Sequence, residues 1–281
     1  MKISAAVIAR NDGYGGNLIQ RSTYCLNSLI HTFDEVVFCD WNSPNNRTLI
    51  DEIRNDLLKK QKLRVIKVTP EQASQLTNFD PKASPCCEVL ARNIAIRRCS
   101  GDYIISTNID IVVTERSKLR ELELQDKTFY TIPRRHIDLN HLIKFNPTDV
   151  SCVQDFLYLN REHYWQHKLG GAGAYPGDIW SKVCCCGDFQ IAHRNIWHTI
   201  RGFEESMIYR NFADTNVQKK ATLYGFNLEA KTDYDVFHIN HGSHSTPMHG
   251  NCAFKTVRDF TQTTNSENWG FSNIPFAEEI I

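Results

Sequence analysis

The stretch that decides the fold is residues 88–113, EVLARNIAIRRCSGDYIISTNIDIVV. Its first part carries apolar residues at the spacing of one helix face, namely Leu90, Ala91, Ile94 and Ala95. Residues 102–108, DYIISTN, form a short apolar run with the β-branched residues typical of a buried parallel strand. The stretch therefore predicts a helix that packs on a sheet, followed by a strand of that sheet.

The same alternation of strand and helix extends towards the N-terminus. Three more runs have the composition of buried strands: residues 2–9 (KISAAVIA), 35–40 (EVVFCD) and 63–68 (LRVIKV). A helix face at Leu26, Leu29, Ile30 and Phe33 separates the first two runs, and residues 48–60 form a weaker helical pattern. The alternation predicts an α/β fold with a doubly wound sheet and right-handed crossovers. Such sheets bind ligands at the carboxyl ends of their strands.

Beyond residue 110 the alternation becomes irregular. We expect a strand at residues 129–133, a Gly-rich loop at 170–177 and a helix near 213–225. The sequence contains no internal repeat, and the residues after about 250 are polar and aromatic without a clear period. The second half of the chain is therefore expected to form the substrate side of the molecule.

The composition excludes several classes of protein. With 281 residues, of which 41% are hydrophobic, the chain is long enough for one large globular domain. Lys plus Arg and Asp plus Glu both number 32, so we expect no nucleic-acid partner. The apolar stretch in residues 1–10 is too short to span a bilayer, and we predict no transmembrane segment. The ten cysteines offer no C-x-x-C pair, and a reduced, cytoplasmic protein is the expectation.

Polar segments that contain an acid follow three of the four predicted strands. They are Arg10-Asn11-Asp12, Asp40-Trp41-Asn42-Ser43 and Asn108-Ile109-Asp110. A nucleotide base and ribose need hydrogen-bond acceptors, and a diphosphate needs a hard divalent cation held by oxygen ligands. We expect Asp40 to serve the first need and Asp110 the second. Taken singly, Asp12-Gly13 and Ser43-Pro44 are also common turn signals.

These motifs, taken in order, resemble the GT-A glycosyltransferases, particularly the large inverting family 2. Residues 91–95 (ARNIA), 100–104 (SGDYI) and 108–110 (NID) are similar to the ARN-x-A, GDYI and DxD segments of that family. Asp40 resembles its nucleotide-binding acid. Later segments continue the match in the same order: 187–190 (GDFQ), Arg194, Trp197, 200–205 (IRGFEE), 213–216 (ADTN) and 236–241 (VFHINH). The resemblance covers about residues 2–245, and the ordered series is more specific than any one motif.

The resemblance implies one GT-A type domain with a Rossmann-like mixed sheet over residues 1–250. Residues 1–110 would be its nucleotide-sugar-binding half and 111–250 its acceptor and catalytic half, followed by a C-terminal tail at 251–281. It also implies a metal-dependent, inverting glycosyltransferase with a nucleotide-sugar donor, UDP-sugar being favoured. The acceptor would be a hydroxyl of a glycan or glycoconjugate.

The resemblance assigns roles to individual residues. The residues implied for donor binding are Ala9, Arg10, Asn11, Asp40, Asn42, Ser43, Arg92, Asn93, Asn108, Ile109 and Asp188. Asp110 and His238 would hold Mn²⁺ or Mg²⁺. Asp214 would be the general base that takes the acceptor proton, and a helix N-terminus would favour its ionised form. The alternative for Asp214 is that it only caps its helix.

Departures from the family pattern leave other functions open. Asn108 replaces the first acid of the DxD motif, and Ala213 replaces the acid before Asp214. Both losses of charge are compatible with a sugar-nucleotide-binding protein that has lost catalysis. The Gly-rich residues 13–16 (GYGG) resemble, faintly, the loop of a sugar-1-phosphate nucleotidyltransferase. Four histidines in residues 238–249 are compatible with a zinc hydrolase, but the H-E-x-x-H arrangement is absent.

Overall fold

The computed structural model describes residues 1–59, 61–76, 86–114, 123–166, 187–207, 213–232, 234–242 and 265–281. Its strands are β1 (Ile3–Ala9), β2 (Glu35–Trp41), β3 (Leu63–Val68), β4 (Tyr103–Asn108), β5 (Ile111–Val113), β6 (Thr128–Thr131), β7 (Arg134–Ile137), β8 (Phe189–His193), β9 (Asn227–Ala230), β10 (Val236–Ile239) and β11 (Ala277–Ile280). Its helices are α1 (Leu18–Thr32), α2 (Leu49–Ile53), α3 (Pro70–Leu76), α4 (Glu88–Arg98), α5 (Val150–Asn160), α6 (Arg194–Thr199) and α7 (Ala213–Leu223). The predicted Gly-rich loop at 170–177 lies outside the described residues.

The strands form a mixed sheet of eight, in the order β11-β3-β2-β1-β4-β8-β6-β9, and the predicted α/β fold is confirmed. The four strands predicted from the N-terminal half are parallel neighbours in this sheet. The register places Ala9 beside Asp40 and Ile8 beside Asn108. The polar segments after β1, β2 and β4 therefore start from one edge of the sheet, as expected for parallel strands.

Helices cover both faces of this sheet because its strands are apolar on both sides. Along β1, Ala5 and Val7 pack with α1 and α2, while Ala6 and Ile8 pack with α4, α6 and α7. This alternation follows from the two-residue period of a strand. Trp197 of α6 lies in the second of these cores, where its indole N–H donates to the Ile104 carbonyl at 3.0 Å.

A second sheet of three strands, in the order β5-β10-β7, adjoins the first. Its core contains Val112, Ile137 and Phe237, and α5 packs on it through Val153 and Leu157. Asp110 connects β4 of the main sheet to β5 of the second sheet. Its carbonyl accepts the Ile239 N–H at 2.9 Å, which fixes the end of β10 beside it. The two sheets therefore meet at Asp110.

Residues 265–281 pack on the main sheet. β11 is an antiparallel edge strand beside β3, and Glu279 on it forms a two-point ion pair with Arg54 at 2.6 and 2.7 Å. Trp269 is buried under the guanidinium of Arg97. The boundary expected at residue 250 stays a prediction, since residues 243–264 lie outside the described part. No helix in the described ranges is both long and apolar enough to cross a membrane.

Candidate active site

A cavity of about 580 Å³ opens where the two sheets meet. Its walls come from the ends of β1 and β4, the loop after β1, and strands β7 and β10. The residues that line it are Ile8, Ala9, Arg10, Asp12, Tyr14, Leu18, Cys86, Glu88, Asn108, Ile109, Asp110, Arg134, His136, Asp188, His238, Asn240 and His241. This volume is within the roughly 300–1,000 Å³ of small-molecule sites.

Asp110, His238 and His241 form a compact cluster of possible metal ligands in this cavity. One ligand atom from each lies within 4.8 Å of the other two. Oδ2 of Asp110 is 2.9 Å from Nε2 of His241 and 3.8 Å from Nε2 of His238. His238 and His241 are three residues apart at and after the end of β10, and the pairing of β10 with β5 brings them to Asp110. The cluster therefore depends on contacts between the two sheets.

The hydrogen bond on the far side of His241 makes this cluster fit a cation. Nδ1 of His241 lies 2.8 Å from the carbonyl oxygen of Gly242, which can only accept, so Nδ1 carries the proton. A neutral ring then presents the lone pair of Nε2 to a carboxylate oxygen, and two acceptors in contact repel each other. A metal ion between them, or a proton on Nε2, removes this conflict.

Burial and charge prepare the same three residues for a metal. Burial lowers the pKa of His238 to about 4, so its ring is neutral at physiological pH, the form that ligates metals. Burial alone would raise the pKa of Asp110, but the hydrogen bond from His241, together with His238 and Arg21, holds it below the ordinary value. Oδ1 of Asp110 and Nδ1 of His238 are buried without a hydrogen-bond partner. Asp110 and His238 thus offer an ionised carboxylate with an unused oxygen and a neutral imidazole.

The loop after β1 packs directly on this cluster. Arg21 of α1 is 1% exposed and donates from Nη1 to Asp110 at 3.2 Å and from Nε to the Gly16 carbonyl at 3.0 Å. Gly15 has a φ of +71°, and a Cβ there would lie 2.5 Å from Nδ1 of His241. Only glycine permits this backbone to approach the histidine so closely. The Gly-rich segment 13–16 therefore packs against the cluster of possible metal ligands.

A second polar chain lines the same cavity and centres on Asp188. The carboxylate of Asp188 accepts from the Asn108 amide and forms an ion pair with Arg134 of β7. The Asn108 oxygen in turn accepts from Arg92 of α4. Arg134 also donates from Nε to Nε2 of His136 at 3.2 Å. These contacts fix the direction of each side chain, so the cavity is rigid and polar at this end.

Solved structures of other proteins share this architecture. TarS from S. aureus, a GT-A glycosyltransferase, matches with a TM-score of 0.51 at 16% identity, over 96% of this chain and 41% of that one. TarS 1–349 in complex with UDP-GlcNAc gives 0.54 at 14%, over 96% and 69%. GalNAc-T7 with UDP, GalNAc and Mn²⁺ gives 0.52 at 12%, over 92% and 47%. The chain has the GT-A glycosyltransferase fold. No family model and no curated protein sequence matches it.

The likeness covers nearly all of this chain but less of its counterparts. This GT-A chain spans about four-tenths of the full TarS chain and under half of the GalNAc-T7 chain. At identities of 12–16%, the comparison shows the fold and not the substrate. The resemblance inferred from the ordered motifs is confirmed at the level of that fold.

Seven of the residues predicted for donor, metal or catalysis line the cavity of this GT-A fold: Ala9, Arg10, Asn108, Ile109, Asp110, Asp188 and His238. The order of the strands explains why, since they stand at the ends of β1, β4, β8 and β10. Arg10 donates to the Asn42 carbonyl at 2.8 Å and to Asp12 at 2.7 Å, which places it between the ends of β1 and β2.

The segment after β2 lies beside the cavity, not in its described wall. Asp40 is 1% exposed, and its Oδ2 accepts the Leu49 N–H at the start of α2 at 2.8 Å. The Ser43 hydroxyl accepts the Asn11 N–H at 2.8 Å, and Asn42 adopts a left-handed φ of 54°. These bonds hold the β1 and β2 loops together. Contact of Asp40, Asn11, Asn42 and Ser43 with a donor stays a prediction.

Burial of Asp40 gives a testable effect on stability. Burial raises the pKa of Asp40 to about 6 in the folded chain, so the charged form destabilises the fold increasingly from pH 4 to 6 and fully above pH 6. We expect Asp40→Asn, whose amide oxygen still accepts the Leu49 N–H, to raise the free energy of unfolding at pH 7 by up to about 3 kcal/mol. Urea denaturation at pH 7 and pH 4 measures this, and the gain should vanish at pH 4.

Asp51→Asn is the matched control for Asp40→Asn. Oδ2 of Asp51 accepts the Thr48 N–H at 2.8 Å in the capping box of α2, so this substitution offers no gain. A stability of Asp40→Asn equal to or below that of the wild type at pH 7 would contradict the buried-charge explanation.

Arg92 and Asn93 lie on α4 as predicted, but their side chains point into the protein. Arg92 donates to the Ser106 hydroxyl at 2.9 Å and stacks over the ring of Phe203. Asn93 is fully buried and bonds in both directions with the backbone of Phe203 at 2.8 Å. Neither residue lines the cavity, so their contact with a donor stays a prediction. In the described structure they hold the end of β4 and the turn at 202–203.

Asp214 begins α7, and its carboxylate faces the start of β8. Oδ2 accepts the Gly187 N–H at 2.8 Å, one residue before Asp188. A Cβ on Gly187 would lie 1.9 Å from the Cβ of Asp214, so glycine is required there. Burial raises the pKa of Asp214, and it outweighs the hydrogen bond from the Thr215 N–H at the helix N-terminus, which favours the ionised form as expected. Asp214 does not line the described cavity, and its role as base stays a prediction.

The sequence did not assign several residues of the cavity. The most important is His241, whose signal was the His238-x-x-His241 spacing in the 236–241 segment that resembles a late histidine segment of the family. Arg21, Arg134 and His136 gave no signal, because arginines and histidines on amphipathic elements are commonly solvent-exposed. Of the other histidines in the sequence cluster, His244 and His249 lie outside the described residues.

Proposed function

We propose that this chain is a metal-dependent glycosyltransferase. It moves a sugar from a nucleoside-diphosphate donor, with UDP favoured, to a hydroxyl of a glycan or glycoconjugate. The observation that supports this proposal is the cluster of Asp110, His238 and His241, in a cavity at the carboxyl edge of a GT-A sheet. The structures of TarS with UDP-GlcNAc and of GalNAc-T7 with UDP and Mn²⁺ contain ligands of the same chemical class.

The composition of the cluster favours Mn²⁺ over Mg²⁺. Magnesium prefers oxygen ligands and retains water, whereas manganese also accepts imidazole nitrogen. Asp110, His238 and His241 would supply one oxygen and two nitrogens. When bound, the cation would offset the negative charge that grows on the diphosphate as it leaves the sugar.

The remaining polar groups of the cavity would position the donor. Arg10 directly follows β1 and donates to the Asn42 carbonyl after β2, and it would contact phosphate or ribose. Ala9 and Ile109 would contribute backbone groups, and Asn108 an amide. Asp188, which Asn108 and Arg134 hold in place, would accept hydroxyl groups of the donor sugar. These groups bind and orient the donor before reaction.

We propose Asp214 as the base, in a single displacement that inverts the anomeric centre. The acceptor oxygen would attack the anomeric carbon as the bond to the diphosphate breaks, and the hydroxyl proton would pass to Asp214. A pKa raised by burial makes this carboxylate a better proton acceptor. Its contact with Gly187 keeps it next to Asp188, and therefore close to the donor side of the cavity.

A second candidate is a sugar-nucleotide-binding protein without turnover. The observation that favours it is Asn108, which lacks the charge of the usual acid and is held between Arg92 and Asp188. We also propose that the protein does not bind nucleic acid, since its net charge is zero. A reducing, cytoplasmic environment is proposed because the thiols of Cys25, Cys39 and Cys99 are free and buried.

A panel of donors tests the proposal. UDP-, GDP- and dTDP-sugars are incubated with the protein in Mn²⁺, Mg²⁺ or EDTA, and release of nucleoside diphosphate is measured. We expect slow hydrolysis of one donor class that requires a divalent ion, with Mn²⁺ better than Mg²⁺. Proton NMR of the first product should show the opposite anomer to that of the donor. Binding without any hydrolysis would favour the second candidate, and neither binding nor hydrolysis would contradict both.

A further inference from the structure

A second cavity, of about 430 Å³, lies next to the first on the side of the small sheet. Its lining residues are His136, Asp138, His141, Phe156, Asn160, His163, Tyr164, Trp165 and Asn240. His136 and Asn240 line both cavities. A ligand in the second cavity would therefore lie against the same side chains that border the donor cavity.

Aromatic rings form the floor of this second cavity. The indole of Trp165 is 58% exposed, and its ring centroid lies 4.8 Å from that of His136. The rings of Tyr164 and His141 form another pair at 5.8 Å. The Trp165 carbonyl accepts the His136 N–H at 2.9 Å, which joins the backbone that carries the indole to β7. An exposed indole offers a large apolar face to a ligand, and only two side-chain torsions are ordered when the ligand binds.

Short polar side chains complete the lining. Asp138 accepts from the Asn240 amide at 2.9 Å, and Asn160 donates to the Phe156 carbonyl at 2.8 Å. Their remaining oxygens can accept hydrogen bonds from hydroxyl groups, and their remaining amide hydrogens can donate to them. No lysine or arginine is among the residues that line this cavity in the described chain, so it offers no built site for phosphate. Apolar faces with mixed donors and acceptors fit a neutral saccharide, which is polar at its rim and apolar on its C–H face.

We propose that this second cavity is the acceptor subsite and that it binds a neutral saccharide against the indole of Trp165. The proposal rests on the proposed transferase function. His136, between the two cavities, would contact both donor and acceptor. Its ring is held by Asn240 at 3.0 Å on Nδ1 and by Arg134 on Nε2, so it is oriented before either ligand binds.

The test measures saccharide binding in the absence of donor and metal, so that it does not depend on transfer. Methyl glycosides of glucose, galactose, mannose and N-acetylglucosamine, and β-linked disaccharides of each, are titrated against the full chain. The readouts are tryptophan fluorescence and saturation-transfer NMR. We expect one class to bind, with its C–H face saturated. Trp165→Ala should weaken binding about tenfold or more, and Trp165→Phe by only about threefold, since the aromatic face remains.

Matched variants separate this subsite from general effects. Tyr224→Ala removes another partly exposed aromatic residue, which lines neither cavity, and should leave saccharide affinity unchanged. His163→Ala changes the rim without altering the floor and should weaken binding about threefold. If a donor is turned over, Trp165→Ala should raise the KM for acceptor, and Tyr224→Ala should leave both that KM and donor hydrolysis in the absence of acceptor unchanged.

Each result decides the proposal. If no saccharide of the panel binds the wild type, or if Trp165→Ala and Trp165→Phe bind as tightly as the wild type, the subsite is overturned, whether or not the donor is turned over. If saccharide binding depends on Trp165 but no nucleotide sugar binds, the subsite stands and the transferase function fails. Should Trp165→Ala fail to fold, the same comparison is made between His163→Ala and Tyr224→Ala.

Discussion

Asp110→Asn is expected to weaken Mn²⁺ binding by about 100-fold and to reduce transfer by about 1,000-fold. The substitution keeps the size of the side chain but removes the one carboxylate of the cluster, whose Oδ1 has no hydrogen-bond partner. Without the cation, the negative charge on the leaving diphosphate is not offset. Electron paramagnetic resonance of free Mn²⁺ gives the affinity, and product release from the active donor gives the rate.

The same substitution also leaves the buried guanidinium of Arg21 without its charged partner. The resulting loss of stability must be separated from the loss of metal binding. Arg21 is 1% exposed and loses a charged partner in Asp110→Asn. Breaking a buried ion pair destabilises a fold by about 3–5 kcal/mol. His241→Ala removes a ligand and leaves the Arg21 contact intact, so it should lose Mn²⁺ affinity with a smaller loss of stability. Asp56→Asn, an exposed acid that lines neither cavity, is the control. Unchanged Mn²⁺ affinity in folded Asp110→Asn and His241→Ala would contradict the metal site.

Asp214→Asn is expected to reduce turnover by about 100- to 10,000-fold while donor affinity changes by less than about threefold. Asparagine can still accept the Gly187 N–H, so the start of β8 should remain in place. It cannot accept the proton of the acceptor hydroxyl. In the wild type, the rate should also fall as the pH drops through the pKa of Asp214, which burial raises. This fall in rate at low pH, the acidic limb of the pH–rate profile, should be absent from the residual activity of Asp214→Asn.

Asp188→Asn distinguishes base from binding residue. Asp188 lines the cavity and bonds with Asn108 and Arg134, so its replacement should weaken donor binding more than it slows the bound donor. The two variants are compared by single-turnover kinetics at saturating donor. If Asp188→Asn lost the acidic limb and Asp214→Asn kept it, the proton acceptor would be Asp188, and the assignment of Asp214 would be wrong.

The sequence predicted the N-terminal half of the fold well because of how parallel strands are buried. β1 and β3 were expected at residues 2–9 and 63–68 and are found at Ile3–Ala9 and Leu63–Val68. Both faces of these strands meet helices, so most of their residues are apolar and the runs are easy to recognise, although β3 also contains Arg64 and Lys67. The helix at 213–225 was likewise found as α7.

Two short strands, β7 of the small sheet and β11 at the edge of the main sheet, could not be predicted in the same way. β7, with the sequence RRHI, and β11, with AEEI, have only four residues each and lack an apolar run. β11 is exposed along its length because it is an edge strand. Their positions are decided by long-range pairing with β10 and β3, which no local pattern reports.

The candidate site was partly predictable for the same reason. Asp110 follows a predicted strand of the main sheet, and its place at the sheet edge followed from topology. Asp188 was assigned from the family resemblance alone. His241 reaches Asp110 only because β10 pairs with β5 of the small sheet. Asp40 was expected to face the ligand, but the N-terminus of α2 uses one of its oxygens. The sequence shows the charge of a side chain and not the direction in which packing turns it.

The central claim is that Asp110, His238 and His241 hold a cation that in turn holds a nucleoside diphosphate. Calorimetric titration of UDP, GDP and dTDP into the full chain, in Mn²⁺ and in EDTA, tests this directly. We predict that at least one of the three binds in Mn²⁺, at least about 100-fold more weakly in EDTA, and that His241→Ala loses most of this difference. Equal affinity in Mn²⁺ and EDTA, or no binding of any of the three in Mn²⁺, would contradict the claim.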